Sequence, residues 1–494
     1  MNKIKNLFKL EFIFIILALI YYLIFVNKGL VFLDEGYFLH SAERIFNGQI
    51  PYKDFSLQYG PTFFYILAFL FKIFGPSILI GRLFAVFICV LIIAIVFLIL
   101  NKLKVSLGVI IISFLSLVSF GYPLINIPNI MWANVLLAFL LVLIYFFWLS
   151  QGSYRYLLMI GILLALSLSF KQNFGVAFTI LFNFLLFFGR KENLQQKIKN
   201  FLILQGIWIT LTLLWVYYFF IRNNFQGLLD FINYSKRFAQ TIVFSYPSLS
   251  FMFQPTGIFK LLPYYLPVLL LFLVLTLWFK KNKDFKIIAF SSTAVVGFFV
   301  SIYPQSDLLH VYPFLGMVLI SFLLLPFKKK NQIFLRIIAV VMILIGFYLT
   351  LFTKSYRYEN YYYKYDTYLN LPRTQGIMIT KKDNDDIIKV SKFIENKTKK
   401  GDYIFAYPYS PLLYFILNRP NPSKDSLYFL PNWHFYDDKI IIGELKQKKV
   451  KYVITQGNYI LDTDLSRFIQ KQTKIYEFVQ FQVFEITTNS YSKF

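Results

Sequence analysis

Long apolar runs recur eleven times before residue 352, near 10–26, 78–100, 105–121, 131–149, 156–170, 174–189, 200–221, 258–279, 287–302, 309–326 and 333–352. A backbone entering hydrocarbon must satisfy its own N–H and C=O groups, and a helix needs about 20 mostly apolar residues to cross. The runs therefore predict an α-helical polytopic membrane protein of about eleven spans. A composition that is 58% hydrophobic and only 15% charged, with a mean hydropathy of +0.60, excludes an ordinary soluble globular fold. Segment 61–74 carries Lys72, is closed by Gly75-Pro76 and is too short to span, so it reads as an interfacial or re-entrant helix.

A formal charge of +26 could point to nucleic acid, but the basic residues lie in short clusters between apolar runs. There they act as topology signals. With the N-terminus inside, the inner segments up to residue 352 carry 17 Lys/Arg and the much longer outer loops carry 8. The chain is thus expected in the plasma membrane, N-terminus cytoplasmic, with two long outer loops at 27–77 and 222–257. The single cysteine, Cys89, leaves no intrachain disulfide and no cysteine metal site.

After residue 352 the character changes, with 22 Lys/Arg and 15 Asp/Glu in 353–494. The division predicted is a membrane domain over 1–352 and a small outer α/β domain over 353–494. Its expected elements are a helix from Asp383, a strand in GDYIFAYP, a helix in KIIIGELKQKK, a strand in VKYVITQG, a helix in LSRFIQKQ and a final strand in IYEFVQFQVFEI. His434 reads as structural or solvated. Without acid–base or metal clusters, this domain is expected to shape acceptor access.

Asp34 and Glu35, eight or nine residues beyond the first span, fit two roles. They could cap a helix over Gly36–Phe46, or serve a reaction at the membrane edge, where a carboxylate is costly to keep. Further candidates are Lys53, Arg82, Lys171 beside Gln172 and Asn173, Lys236 or Arg237, and the pair Asp307 and His310, three residues apart. Each has a plain structural alternative: a snorkelling Lys171, an Arg82 paired with a first-loop acid, an Asp307 helix cap beside an interfacial His310.

Asp34-Glu35-Gly36-Tyr37, then Ala42, Ile45 and Gly48, then Pro51-Tyr52-Lys53-Asp54-Phe55, Gly60-Pro61, Phe74-Gly75 and Arg82-Leu83 form one block. It resembles the first outer loop of the GT-C membrane glycosyltransferases, in the bacterial branch related to protein O-mannosyltransferases and lipid A aminoarabinose transferases. The resemblance implies inverting transfer of a sugar, hexosyl or pentosyl, from a polyprenyl-phosphate donor to an outer-face acceptor that is a glycan, lipid or protein. Asp34 would be the base, with Glu35 secondary. Lys53, Lys171, Asp307, His310 and Arg82 would serve the lipid phosphate. Several family members have an acid in the second outer loop, where this chain has Asn129 and Asn134. No cofactor or metal is therefore expected. The competing readings are a transporter, flippase or polymerase of envelope glycans, and a non-catalytic assembly scaffold; acids gathered at the outer edge, with no visible repeat, favour the enzyme.

Overall fold

The computed structural model describes residues 2–222, 225–227, 229, 232, 246–250, 257–280, 283–303, 305–352, 365–428, 437–457 and 463–487. Helix α1 (Asn2–Phe25) leads into the first loop, which carries α2 (Asp34–Phe46) and α3 (Thr62–Phe74). There follow α4 (Ile78–Leu103), α5 (Leu107–Ser119), α6 (Ile130–Gln151), α7 (Tyr154–Phe170), α8 (Gln172–Gly189), α9 (Leu194–Ile221), α10 (Gly257–Phe279), α11 (Phe285–Ile302), α12 (Leu308–Leu324) and α13 (Lys329–Phe352). All eleven apolar runs fall on helices. Among the described residues, eight helices are long and apolar enough to cross a membrane. This is a multi-pass membrane protein. Helix α3 has 13 residues, starts after Pro61 and stops at Gly75, whose φ of 82° a side chain would resist.

The C-terminal part begins with a ribbon, β1 (Thr367–Tyr368) and β2 (Met378–Ile379), followed by α14 (Lys381–Lys397). Then come β3 (Phe405–Tyr407), α15 (Pro411–Leu417), α16 (Asp438–Gln447), β4 (Tyr452–Gln456), α17 (Asp464–Gln470), β5 (Thr473–Glu477) and β6 (Phe481–Glu485). The sheet order is β3-β4-β6-β5, with β3 parallel to β4 and the other pairs antiparallel. The single final strand expected in IYEFVQFQVFEI is instead the hairpin β5–β6. Its turn has no glycine or proline and is held from outside, where the Gln480 amide donates to Asp386 at 2.8 Å. Helix α15, a continuous apolar run opening on Pro411, was not anticipated at all.

The two parts share one buried core. Leu369, Ile377, Ile387, Leu412 and Phe415 belong to the same apolar cluster as the residues of α2, α4 and α6. Helix α15 lies so close to α2 that a Cβ on Gly36 would sit 2.1 Å from the Leu412 backbone nitrogen, which itself donates to Phe32 O at 3.2 Å. The Arg373 guanidinium clamps the seam, pairing with Glu43 and donating to Phe415 O at 2.8 Å.

Candidate functional site

Helix α2 begins at Asp34 itself, after Leu33, with no side-chain cap. Both acids stand in its first turn, at the positive end of the helix dipole. Glu35 turns inward to Arg82 of α4, with Nε to Oε1 at 2.6 Å and Nη2 to Oε2 at 2.8 Å. The remaining Arg82 donors reach Val26 O, Lys28 O and Gly29 O at 3.2, 3.1 and 2.7 Å. Both side chains are fully buried. This pair ties the chain leaving α1 to the start of α4, and every donor on the guanidinium has an acceptor.

Asp34 is half-buried and looks elsewhere. Tyr59, just before Gly60-Pro61, marks the place: burial pushes its phenol pKa up, and the carboxylates of Asp34 and Asp307 push it further. The Lys171 ammonium lies over the Tyr59 ring, 5.4 Å from its centre, and at the same distance from Phe174. Tyr59 is thus the residue that meets the Lys171 ammonium in contact and feels the charges of Asp34 and Asp307.

The first-loop motif explains how Tyr59 is held. Tyr52 takes a φ of 65°, closing a turn in which its amide donates to Phe55 O at 2.7 Å and the Asp54 carboxylate accepts from Ile50 N at 2.7 Å. Tyr52 Oη then donates to Tyr59 O at 2.9 Å, and Gln58 N donates to Tyr37 Oη at 2.7 Å. Rings of Tyr37 and Phe38 flank Tyr59 at 6.1 and 6.0 Å. Gly60 brings the loop against the α7–α8 elbow, its amide donating to Phe170 O at 3.0 Å; a Cβ there would lie 2.1 Å from Ser169 O.

Lys171 is that elbow, the one residue between α7 and α8, and it is only 8% exposed. Its Nζ has Met131 Sδ at 3.5 Å, and among the described residues no carboxylate lies within ion-pair distance. Asp307 acts on it electrostatically from further away. Asp307 caps α12 through His310 N at 3.1 Å and also holds His310 Nδ1 at 2.6 Å. Lys53 stands exposed on the 50–54 turn, and no contact among the described residues links it to this group. Lys236, Arg237 and His434 lie outside the described residues. Tyr59 was missed in the sequence because nothing in its spacing separates it from the other tyrosines among 36.

In the second loop Asn129 caps α6, accepting from Met131 N at 2.8 Å, and Asn134 donates to Ile130 O at 3.1 Å.

No family model and no curated protein matches this sequence. Solved structures do match. ArnT from Cupriavidus metallidurans bound to undecaprenyl phosphate superposes with a TM-score of 0.57 at 13% identity, over 97% of this chain and 98% of that one. The chain has the GT-C fold. ArnT in the apo state gives 0.50 at 12% identity with the same coverage. The Archaeoglobus fulgidus oligosaccharyltransferase, a second GT-C protein, solved with Zn and sulfate, gives 0.50 at 11% over 90% of this chain and 68% of that one. The GT-C likeness expected from the first-loop block is thus met in the fold.

Proposed function

We propose that this protein is a membrane glycosyltransferase that moves a sugar from a polyprenyl-phosphate donor to an acceptor on the outer face, inverting the anomeric carbon. The observation that carries this reading is Lys171. A buried ammonium calls for an anion, and among the described residues none lies within ion-pair distance of it. A lipid phosphate supplies that anion, and ArnT, which shares the fold, was solved with undecaprenyl phosphate.

In this reading the acceptor hydroxyl attacks the anomeric carbon as Asp34 takes its proton, and the bond from that carbon to the phosphate oxygen breaks. Lys171 holds the charge that develops on the departing phosphate. Asp307 accepts from His310 Nδ1–H, and the imidazolium form, with a proton on both nitrogens, also donates from Nε2 to the same phosphate. Glu35 and Arg82 carry no step; they position the first loop. Tyr59 sets the spacing between base and ammonium. This reading calls on no divalent metal, because the second loop has Asn129 and Asn134 where several family members have an acid; transfer should survive a chelator, and restoration by added zinc or magnesium would overturn that point.

The membrane placement follows the basic residues, with 353–494 outside. Cysteine labelling from the outside is expected at Lys446→Cys and not at Gln195→Cys, both exposed positions; the reverse pattern inverts the topology. The decisive assay is transfer in proteoliposomes from a polyprenyl-phosphate sugar. Asp34→Asn should abolish transfer while the lipid still binds, and normal turnover would remove Asp34 as base.

A further inference from the structure

The sheet of the C-terminal part has a basic end. Because β3 and β4 lie parallel, with Phe405 opposite Val453, the segments entering them, 398–404 and 448–451, come side by side. Lys448 bridges the two, its Nζ standing 5.2 Å from the centre of the Tyr403 ring. Lys397, Lys399 and Lys400 belong to the first segment and its approach, and Lys446, Lys448, Lys449 and Lys451 to the second. All seven are exposed, and among the described residues none has a carboxylate within ion-pair distance. The acids at this end are fewer. Asp402 accepts from the Lys399 amide at 2.8 Å, Glu395 accepts from Ser391 Oγ at 3.2 Å, and Glu485 stands at the tip of β6 opposite Tyr452. Glu444 of α16 faces Ser423, Lys424 and Arg44.

One of the seven sits where a side chain is unfavourable. Lys449 follows α16 at a φ of 52°, its amide donating to Lys446 O at 3.1 Å while the Val450 amide donates to Leu445 O at 3.0 Å. Glycine closes a helix this way without strain, so the lysine is kept here against the preference of the backbone. The rim also offers a partner nothing apolar, since Gly401, Asp402 and Gln447 stand exposed between the lysines. A protein interface centres on apolar and aromatic groups and is depleted in lysine, which this surface is not. Unpaired ammonium charges on flexible stems suit instead a chain of repeated anions, held by charge and not by shape. A bilayer surface fits less well. The contacts to the first loop are made at the opposite ends of the strands, where Leu412 N donates to Phe32 O at 3.2 Å and Phe481, opposite Gln456, sets its ring 5.6 Å from that of Phe32. The basic end, at Tyr452, is about 13 Å further along β4.

We propose that this lysine rim docks a flexible polyanionic glycan, a chain with an anionic group on each repeat. That this glycan is the acceptor rests on the transfer reading above, but its binding is measured without transfer. The full-length protein in neutral detergent is titrated with fluorescent polygalacturonate, and with neutral dextran of matched length, over a range of salt. The polygalacturonate should bind with an affinity that falls steeply as salt rises, and the dextran should not bind. Replacing Lys446, Lys448, Lys449 and Lys451 together by Gln should weaken binding about tenfold and flatten the salt dependence. Replacing Lys381, Lys382, Lys389 and Lys392 by Gln removes the same charge from exposed positions on α14 and should leave the affinity within about twofold. Lys449→Gly alone should weaken binding about threefold, with thermal unfolding unchanged or raised because glycine relieves the left-handed backbone. Equal losses in the two fourfold variants would reduce the effect to net charge and overturn the docking surface. So would unaltered affinity in Lys449→Gly, salt-independent binding, equal binding of dextran, no binding at all, or capture of phosphatidylglycerol vesicles in preference to the polymer. Rim-dependent binding in a protein that transfers no sugar would leave the surface in place and count instead against the proposed reaction.

Discussion

Two buried cations, Arg82 and Lys171, meet the first loop at different places, and their surroundings are opposite. Arg82 has five contacts to oxygen and a carboxylate in bidentate reach, so the α2–α4 crossing is electrically complete within the chain. Lys171 has two aromatic rings, a thioether and no carboxylate in ion-pair range among the described residues. A satisfied buried charge is a structural joint, whereas a buried charge left without its partner marks the place where a ligand completes the protein.

The comparison is broken or sharpened by substitutions that treat the two places alike. The largest effect is expected at Asp34, where Asp34→Asn should lower transfer by about 10²–10⁴ with the protein still folded. Beside it, Glu35→Gln leaves the Arg82 charge without its carboxylate and should destabilise by about 3–5 kcal/mol, read as thermal unfolding in detergent. A stable, inactive Glu35→Gln protein would move Glu35 into the chemistry. Lys171→Met should behave in the reverse way: unfolding at the wild-type temperature or above it, and binding of undecaprenyl phosphate weaker by about 1.5–3 kcal/mol. If Lys171→Met proved as unstable as Glu35→Gln, the contrast would collapse. Gly60→Ala pushes the loop off the elbow and should cost about 1–3 kcal/mol of stability, with transfer falling as Tyr59 moves. The smallest change is expected at Lys53→Ala, within about 0.5 kcal/mol in stability and with donor binding unaltered, because that side chain stands in solvent.

Much of this site was legible as a set of names and not as a geometry. Asp34, Lys171 and Asp307 stand out because charges at the ends of apolar runs are rare and costly. That all three act on Tyr59 was not legible, since it depends on a turn closed by Tyr52 at positive φ and on a close approach at Gly60. Glu35 and Asp34 are adjacent in sequence and chemically alike, yet one is bound by Arg82 and the other acts electrostatically on Tyr59. Neighbouring positions on a helix point about 100° apart, so the assignment waits on which face meets α4. The β5–β6 hairpin was hidden for a related reason. Its turn is specified by Asp386, 94 residues away, and by no local turn chemistry.

By itself the sequence determined the membrane class, the eleven helical runs, the change of character at residue 353 and the block that resembles GT-C first loops. These follow from solvent and from local periodicity: hydrocarbon admits only self-satisfied helices, and a polar segment cannot remain in it. Only the tertiary structure decided which buried charge is paired and which is not among the described residues, and that the C-terminal part shares the core of α2. Those outcomes are set by contacts between residues hundreds of positions apart, whose strength depends on burial and distance, and neither is a property of the residues in order.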